Sequence, residues 1–243
     1  MDKMKKFKLI LTITILTTII SSCKKNVFNS IVGKGGTVTE TRQITGFNSI
    51  ELSIDANVVY TQDASYYIEI SGQENVLDVL TTEVSGGELE IEFRKWVRKH
   101  SNITIIIHSP EIKEFEVSGS GNIETSGPIN TTDMDLDVSG SGNIVISSLA
   151  TNDMEANISG SGNIYVNGGT VTNQEVKISG SGNIDFEYLQ ANNSACKISG
   201  SGSITVWVLD QLDATISGSG DVKYTGSPIV NTHISGSGSV IHF

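Results

Sequence analysis

The tetrapeptide Ser-Gly-Ser-Gly begins at Ser118, Ser139, Ser159, Ser179, Ser199, Ser217 and Ser235, in steps of 21, 20, 20, 20, 18 and 18 residues. Near-constant spacing of a turn-forming unit restricts the chain to a repeat architecture, in which each unit packs on its neighbours. Glycine at two of the four positions suits a tight corner, where positive φ brings no side-chain clash. The flanking residues alternate in character. Val117, Val138, Ile158, Ile178, Ile198, Ile216 and Ile234 precede the corner directly, and Phe115, Leu136, Ala156, Val176, Cys196, Ala214 and Thr232 stand two positions earlier. Beyond the corner and one further residue, Ile123, Ile144, Ile164, Ile184, Ile204, Val222 and Val240 form another β-branched column.

This period-two alternation gives each repeat two short strands with one face turned inward. One repeat buries too few apolar side chains to offset the entropy of ordering its backbone. The repeats are therefore expected to stack through parallel sheets into an all-β solenoid, a single-stranded parallel β-helix. Residues 41–112 lack the tetrapeptide but keep the alternation around 50–54, 67–70, 88–93 and 103–107. They read as irregular strands that begin and cap the solenoid, with one short helical turn within 75–84. Residues 113–243 carry the seven repeats, so 41–243 reads as a single domain.

The N-terminus reads as an export signal. Lys3, Lys5, Lys6 and Lys8 precede an apolar run, 9–20, that is too short to span a bilayer. The run ends in Ile20-Ser21-Ser22-Cys23, which predicts cleavage after Ser22 and acylation of Cys23. Residues 23–40 then read as a lipidated tether, and the destination as the envelope of a Gram-negative-type bacterium. The outer membrane is the expected site, with either face compatible. Removing residues 1–22, which carry four Lys and one Asp, leaves 12 basic and 26 acidic residues and a net charge of −14. Such a charge argues against nucleic acid as a partner. With Cys23 acylated, Cys196 is the only thiol, so stability must come from packing and backbone pairing without disulfides.

Three segments carry a resemblance: Gly46-Phe47-Asn48-Ser49-Ile50, Gly87-Glu88-Leu89-Glu90-Ile91, and the series of Ser-Gly-Ser-Gly-Asn-Ile corners. Over residues 40–243 the chain resembles the family called putative auto-transporter adhesin, head GIN domain. The resemblance implies a right-handed β-helix, a secreted or lipid-anchored location and a role in cell adhesion, and it supplies no catalytic residues.

Several constellations are candidate sites. Four residues before each corner stand Glu114, Asp135, Glu155 and Glu175, with Glu116 and Asp137 beside them. Alternation turns these outward at about 4.8 Å per rung, an oxygen-rich ladder expected to bind Ca²⁺ weakly, or else a solvated acidic face. The corner serines, with Asn122, Asn143, Asn163 and Asn183, form polar rows that either satisfy the backbone or face a ligand. Arg94, Lys95, Trp96, Arg98 and Lys99 form a basic patch that could grip an anionic glycan, or be a solvated loop. The four histidines are scattered and no catalytic residue is assigned.

The favoured function is non-catalytic adhesion or binding of a surface glycan or protein. A structural envelope scaffold and a polysaccharide-processing enzyme are the alternatives. The last repeat ends at Phe243 without a charged or helical cap, so self-association at the C-terminal edge is also expected.

Overall fold

The computed structural model describes residues 30–243; residues 1–22, expected to be an export signal, together with Cys23 and residues 24–29, lie outside the described residues. The repeat region is a β-solenoid of about six turns at roughly 20-residue spacing. Each corner follows a strand such as Glu114–Val117 or Asp133–Val138 and leads into another such as Asn122–Thr125 or Asn143–Ile146. A third, shorter side is formed by Pro128–Asn130 and its equivalents. Neighbouring rungs pair in parallel, and around the corners they do so residue for residue. Glu114, Phe115, Glu116 and Val117 face Asp135, Leu136, Asp137 and Val138, which in turn face Glu155, Ala156, Asn157 and Ile158.

The expected inward columns are the core. Phe115, Leu136, Ala156, Val176, Cys196 and Ala214 are buried, as are Val117 to Ile216 before the corner and Ile123 to Val222 after it. Only the seventh member of each column escapes, because nothing is stacked on it: Thr232 and Ile234 are exposed and Val240 is half-buried. The shortening from 20 to 18 residues is absorbed by register shifts at Phe186/Gln190 and Ala191/Asn193. The corner itself therefore stays in line.

The corner glycines serve a purpose other than the one expected. Among them only Gly218 and Gly236 have positive φ. The requirement is close approach. Each first-glycine carbonyl accepts a hydrogen bond from the next corner, as in Ser141 N–H to Gly119 O at 3.0 Å and Ser181 N–H to Gly160 O at 3.0 Å. A Cβ on Gly140 or Gly180 would collide with that same carbonyl. A Cβ on Gly142 would meet the Gly121 carbonyl and would also lie 2.6 Å from Val117 Cγ1.

The N-terminal strands join the solenoid out of chain order. Ser49–Leu52 pairs on one side with Glu114–Val117 and on the other with Glu88–Phe93. Asn57–Gln62 lies between Asn122–Thr125 and Thr104–Ser109. The rung drawn from 88–109 is thus outermost, although it follows 49–62 in the chain. Antiparallel strands close this end. Leu80–Ser85 covers Glu88–Phe93 through the Gly86-Gly87 turn, and Tyr67–Gln73 covers Thr104–Ser109, itself covered by Thr37–Arg42. Within 75–84 the helix is confined to Glu74–Leu77, and residues 80–84 belong to the strand Leu80–Ser85. The tether boundary expected at position 40 falls inside Thr37–Arg42, and Ile31–Val32 also forms a strand, so the ordered fold begins earlier than 41. Among the described residues, no helix is long and apolar enough to cross a membrane.

Substituting a stacked corner glycine should therefore destabilise by steric overlap. Gly160→Ala or Gly180→Ala is expected to cost about 1–3 kcal/mol, a fall in Tm of roughly 2–4 °C per kcal/mol. Gly127→Ala, where an added Cβ meets nothing within 4 Å, should leave Tm unchanged or slightly raised. Thermal melts of the three variants check this.

Candidate functional site

In-register stacking turns alternate residues of one sheet into outward columns. The carboxylate column expected from the repeat runs Glu114, Asp135, Glu155, Glu175, Ala195, Asp213 and Asn231. The N-terminal rungs extend it through Ser49 to Glu88. Beside it runs Glu90, Glu51, Glu116, Asp137, Asn157, Lys177 and Lys197. Glu51, Glu88 and Glu90 were not assigned to the ladder from sequence, because no tetrapeptide marks their rungs. Oxygens of Glu88, Glu114 and Glu116 lie within 4.8 Å of one another, and Ser49 Oγ donates to Glu114 at 2.9 Å.

A third column, Asp133, Asp153, Asn173, Asn193 and Gln211, flanks the first on its other side. Asn173 Nδ2 donates to Asp153 at 2.9 Å, and Asn193 Nδ2 to Asn173 at 3.1 Å. Together the two columns line an open trough of about 750 Å³, from Asp133 and Asp135 to Gln211 and Asp213. Its side chains offer carboxylate and amide oxygens as acceptors and amide N–H groups as donors.

Crowding shows in the protonation of the acidic face. Burial, reinforced by facing carboxylates, holds the carboxyls of Glu88, Glu116 and Asp135 above the ordinary range. Asp137 is raised chiefly by burial, with Asn157 partly opposing. Glu155 goes the other way, because Lys177 Nζ donates to it at 2.9 Å and also reaches Glu175 at 2.8 Å. Lys177 therefore neutralises the middle of the ladder, whereas among the described residues no ion pair reaches Glu88, Glu114, Glu116 or Asp135.

The corner asparagines bond to one another. Asn122 Nδ2 donates to Asn57 at 3.0 Å, Asn143 to Asn122 at 2.7 Å, Asn163 to Asn143 at 2.8 Å and Asn183 to Asn163 at 3.1 Å. The backbone N–H of Ser203 ends the row on Asn183. These amides are engaged within the stack, and the row has a structural role in registering the corners. Asn57 belongs to it and was not legible from the repeat. Among the corner serines, Ser118 Oγ pairs with Ser53 Oγ at 2.9 Å. Cys196 is buried in its column with its thiol pushed up to about 12 by burial, as suits a core residue.

The basic patch lies apart from the acidic columns, at the corner of the outermost rung. Arg94, Lys95, Trp96, Arg98 and Lys99 are all exposed, Trp96 to 67%. Val97–Lys99 pairs in parallel with Ile31–Val32 in a separate two-stranded sheet.

A family model described as putative auto-transporter adhesin, head GIN domain matches residues 46–228. The chain belongs to this family. Solved structures agree on the GIN-domain fold. A putative adhesin from Bacteroides fragilis is 26% identical, with a TM-score of 0.83, over 88% of this chain and all of that one. A protein from Parabacteroides distasonis, described as a putative lipid binding protein, is 29% identical with a TM-score of 0.74 over the same shares. A putative adhesin from Parabacteroides merdae is 26% identical with a TM-score of 0.73, over 88% of this chain and 99% of that one. No curated protein gives a significant match. Membership in the GIN-domain family points to a surface or envelope protein.

The raised carboxyls predict a pH dependence of stability. A carboxyl that binds its proton more tightly folded than unfolded favours the folded state at low pH, and that contribution is lost as pH rises through its folded value. Asp137→Asn should therefore raise Tm at neutral pH and flatten the fall in stability above the ordinary carboxylate range. Glu155→Gln, which removes a partner of Lys177, should lower Tm at neutral pH. Melts from acidic to neutral pH distinguish the two signs.

Proposed function

We propose that this chain is a lipid-anchored, non-catalytic protein of the outer membrane that binds a glycan or another hydroxyl-rich surface ligand along the Asp133 to Asp213 trough. The observation that carries this reading is the repetition of carboxylate and amide groups at equivalent positions on successive rungs. A repeating polar surface can meet a repeating ligand with the same bond on each rung, and hydrogen bonds to carboxylates are the stronger kind. The family name and the adhesins among the structural neighbours support a binding role. Anchoring through Cys23 rests on the signal at residues 20–23.

The acidic end of the face supports weak Ca²⁺ binding at Glu88, Glu114 and Glu116, with Asp135, Asp137, Glu155 and Glu175 continuing the ladder. Oxygen-only, flexible ligand sets suit that ion. The exposed last rung supports self-association at the C-terminal edge as a second property. Ile229, Ile234, Ile241 and Phe243 are exposed along Ile229–Gly236 and the strand beyond it, where a second copy could pair end to end.

A glycan array probed with the exported chain is expected to show retention that falls at least about tenfold in a variant combining Asp153→Asn and Glu175→Gln. Retention unchanged by that variant, or none on any glycan, contradicts the trough as the site. Millimolar CaCl₂ is expected to raise the Tm of the parent and not of a Glu88→Gln, Glu114→Gln, Glu116→Gln variant. Light scattering is expected to show concentration-dependent self-association, and a strict monomer at all concentrations would remove it.

A further inference from the structure

The basic patch is an elongation of one corner. Between the paired segments 49–52 and 57–60 the chain turns with residues 53–56, and between 114–117 and 122–125 with 118–121. The equivalent segments of the outermost rung, 88–91 and 104–107, are joined by residues 92–103, which contain all five basic and aromatic side chains of the patch. Trp96 stands out with 67% of its surface exposed. Among the described residues, Lys95, Arg98 and Lys99 make no ion pair, while Arg94 donates to the Asp78 carbonyl and Asp55 and Glu92 border the same hollow.

This corner is where the chain enters the fold. Ile31 N–H donates to Trp96 O at 2.8 Å and Gly33 N–H to Lys99 O at 2.8 Å, stitching the first described residues to the basic strand. Cys23 lies seven positions before Ser30. At about 3.3–3.6 Å per residue, an extended chain holds the Cys23 thiol within roughly 25 Å of this corner. Lys24 and Lys25 lie in the connecting segment. The exported chain is acidic as a whole, whereas this corner gathers four cations, Arg94, Lys95, Arg98 and Lys99, so an anionic bilayer attracts it more strongly than the carboxylate-bearing sheet. An indole beside several cations suits the headgroup region, where an apolar ring and a polar N–H are both accommodated.

We propose that this tether-side corner is a bilayer-docking surface, in which Lys95, Arg98 and Lys99 meet anionic phospholipid headgroups and Trp96 inserts among them. The inference rests on the lipid-anchored reading above. A tether alone leaves the domain free to tilt, and this second contact would fix its orientation. It also places the trough. With rungs about 4.8 Å apart, Asp135 stands three rungs from the docking rung and Asp213 seven, roughly 14 and 34 Å outward. The ligand-binding columns would thus be presented away from the membrane.

The test uses the chain from position 23 onward with Cys23→Ser, which keeps every buried core residue between Phe47 and Val222 and carries no acyl group. A Trp207→Phe background leaves Trp96 as the only indole. At low salt this protein is expected to sediment with phosphatidylglycerol and phosphatidylethanolamine vesicles, with a blue shift of Trp96 emission, and not with phosphatidylcholine vesicles. Combining Lys95→Glu, Arg98→Glu and Lys99→Glu should weaken partition at least about tenfold with no change in Tm. The milder Lys99→Gln and Trp96→Ala variants give graded losses if the triple reversal folds poorly. Equal partition onto neutral vesicles, undiminished partition of the variants, or retention by an anionic glycan without vesicle binding overturns the proposal. Acylation is read separately, from the intact mass of chain extracted from native membranes. A missing acyl group with vesicle binding intact removes the anchor alone, whereas an acylated chain whose Cys23→Ser form ignores anionic vesicles removes the docking alone.

Discussion

The structure depends on one backbone contact, repeated at every corner. The carbonyl of the first glycine accepts the N–H of the serine one rung on, and the bond brings the next glycine so close that no Cβ fits between them. Because the corner cannot slip without losing this bond, the strands on either side are locked in register. A slip of one residue would turn every buried side chain outward. Phe115, Leu136, Ala156, Val176, Cys196 and Ala214 can therefore differ widely in volume and still form one continuous core column. Ladder hydrogen bonds between asparagines add a second registration device just beyond the corner.

Register also creates the acidic face. Stacking that aligns apolar residues inside must align whatever lies between them outside, so carboxylates that are some twenty residues apart in sequence become neighbours on adjacent rungs. Their mutual repulsion is moderated in two ways. Solvent screens the exposed members, and Lys177 bridges Glu155 and Glu175. At Asp135, Asp137 and Glu116 burial, with neighbouring carboxylates adding to it, holds the proton more tightly.

The repeat region was legible in the sequence because its two signals, the corner tetrapeptide and the period-two alternation, coincide at every unit. The three inward columns and the Glu114 to Glu175 ladder followed from spacing alone. What was not legible has a common physical cause. The rungs built from 49–62 and 88–109 have no glycine corner to set their phase, and their order in space is reversed relative to the chain. Glu51, Glu88, Glu90 and Asn57 therefore joined their columns only through long-range pairing. Pairing likewise drew residues 31–40 into the fold: Ile31–Val32 joins Val97–Lys99 in parallel, and Thr37–Arg42, which shows no apolar alternation, is held antiparallel by the edge of Tyr67–Gln73. The purpose of the glycines was misread for a related reason: a tight turn suggests positive φ, whereas a Cβ collision between rungs is visible only once the rungs are stacked.

The molecule has two unlike ends. One is closed by antiparallel strands and bears the basic corner beside the entering chain; the other leaves Ile234 and Phe243 uncovered. Between them, identical corners lie one above another, and this is the claim on which the trough, the ladder and the docking geometry all rest. Electron paramagnetic resonance distances test it most directly, with one spin label at Ser120 and the second at Ser181, Ser201, Ser219 or Ser237 in turn. The account predicts four distances that rise in even steps of about 4.8 Å. Distances that alternate, or that bear no relation to the order of the repeats, would contradict it.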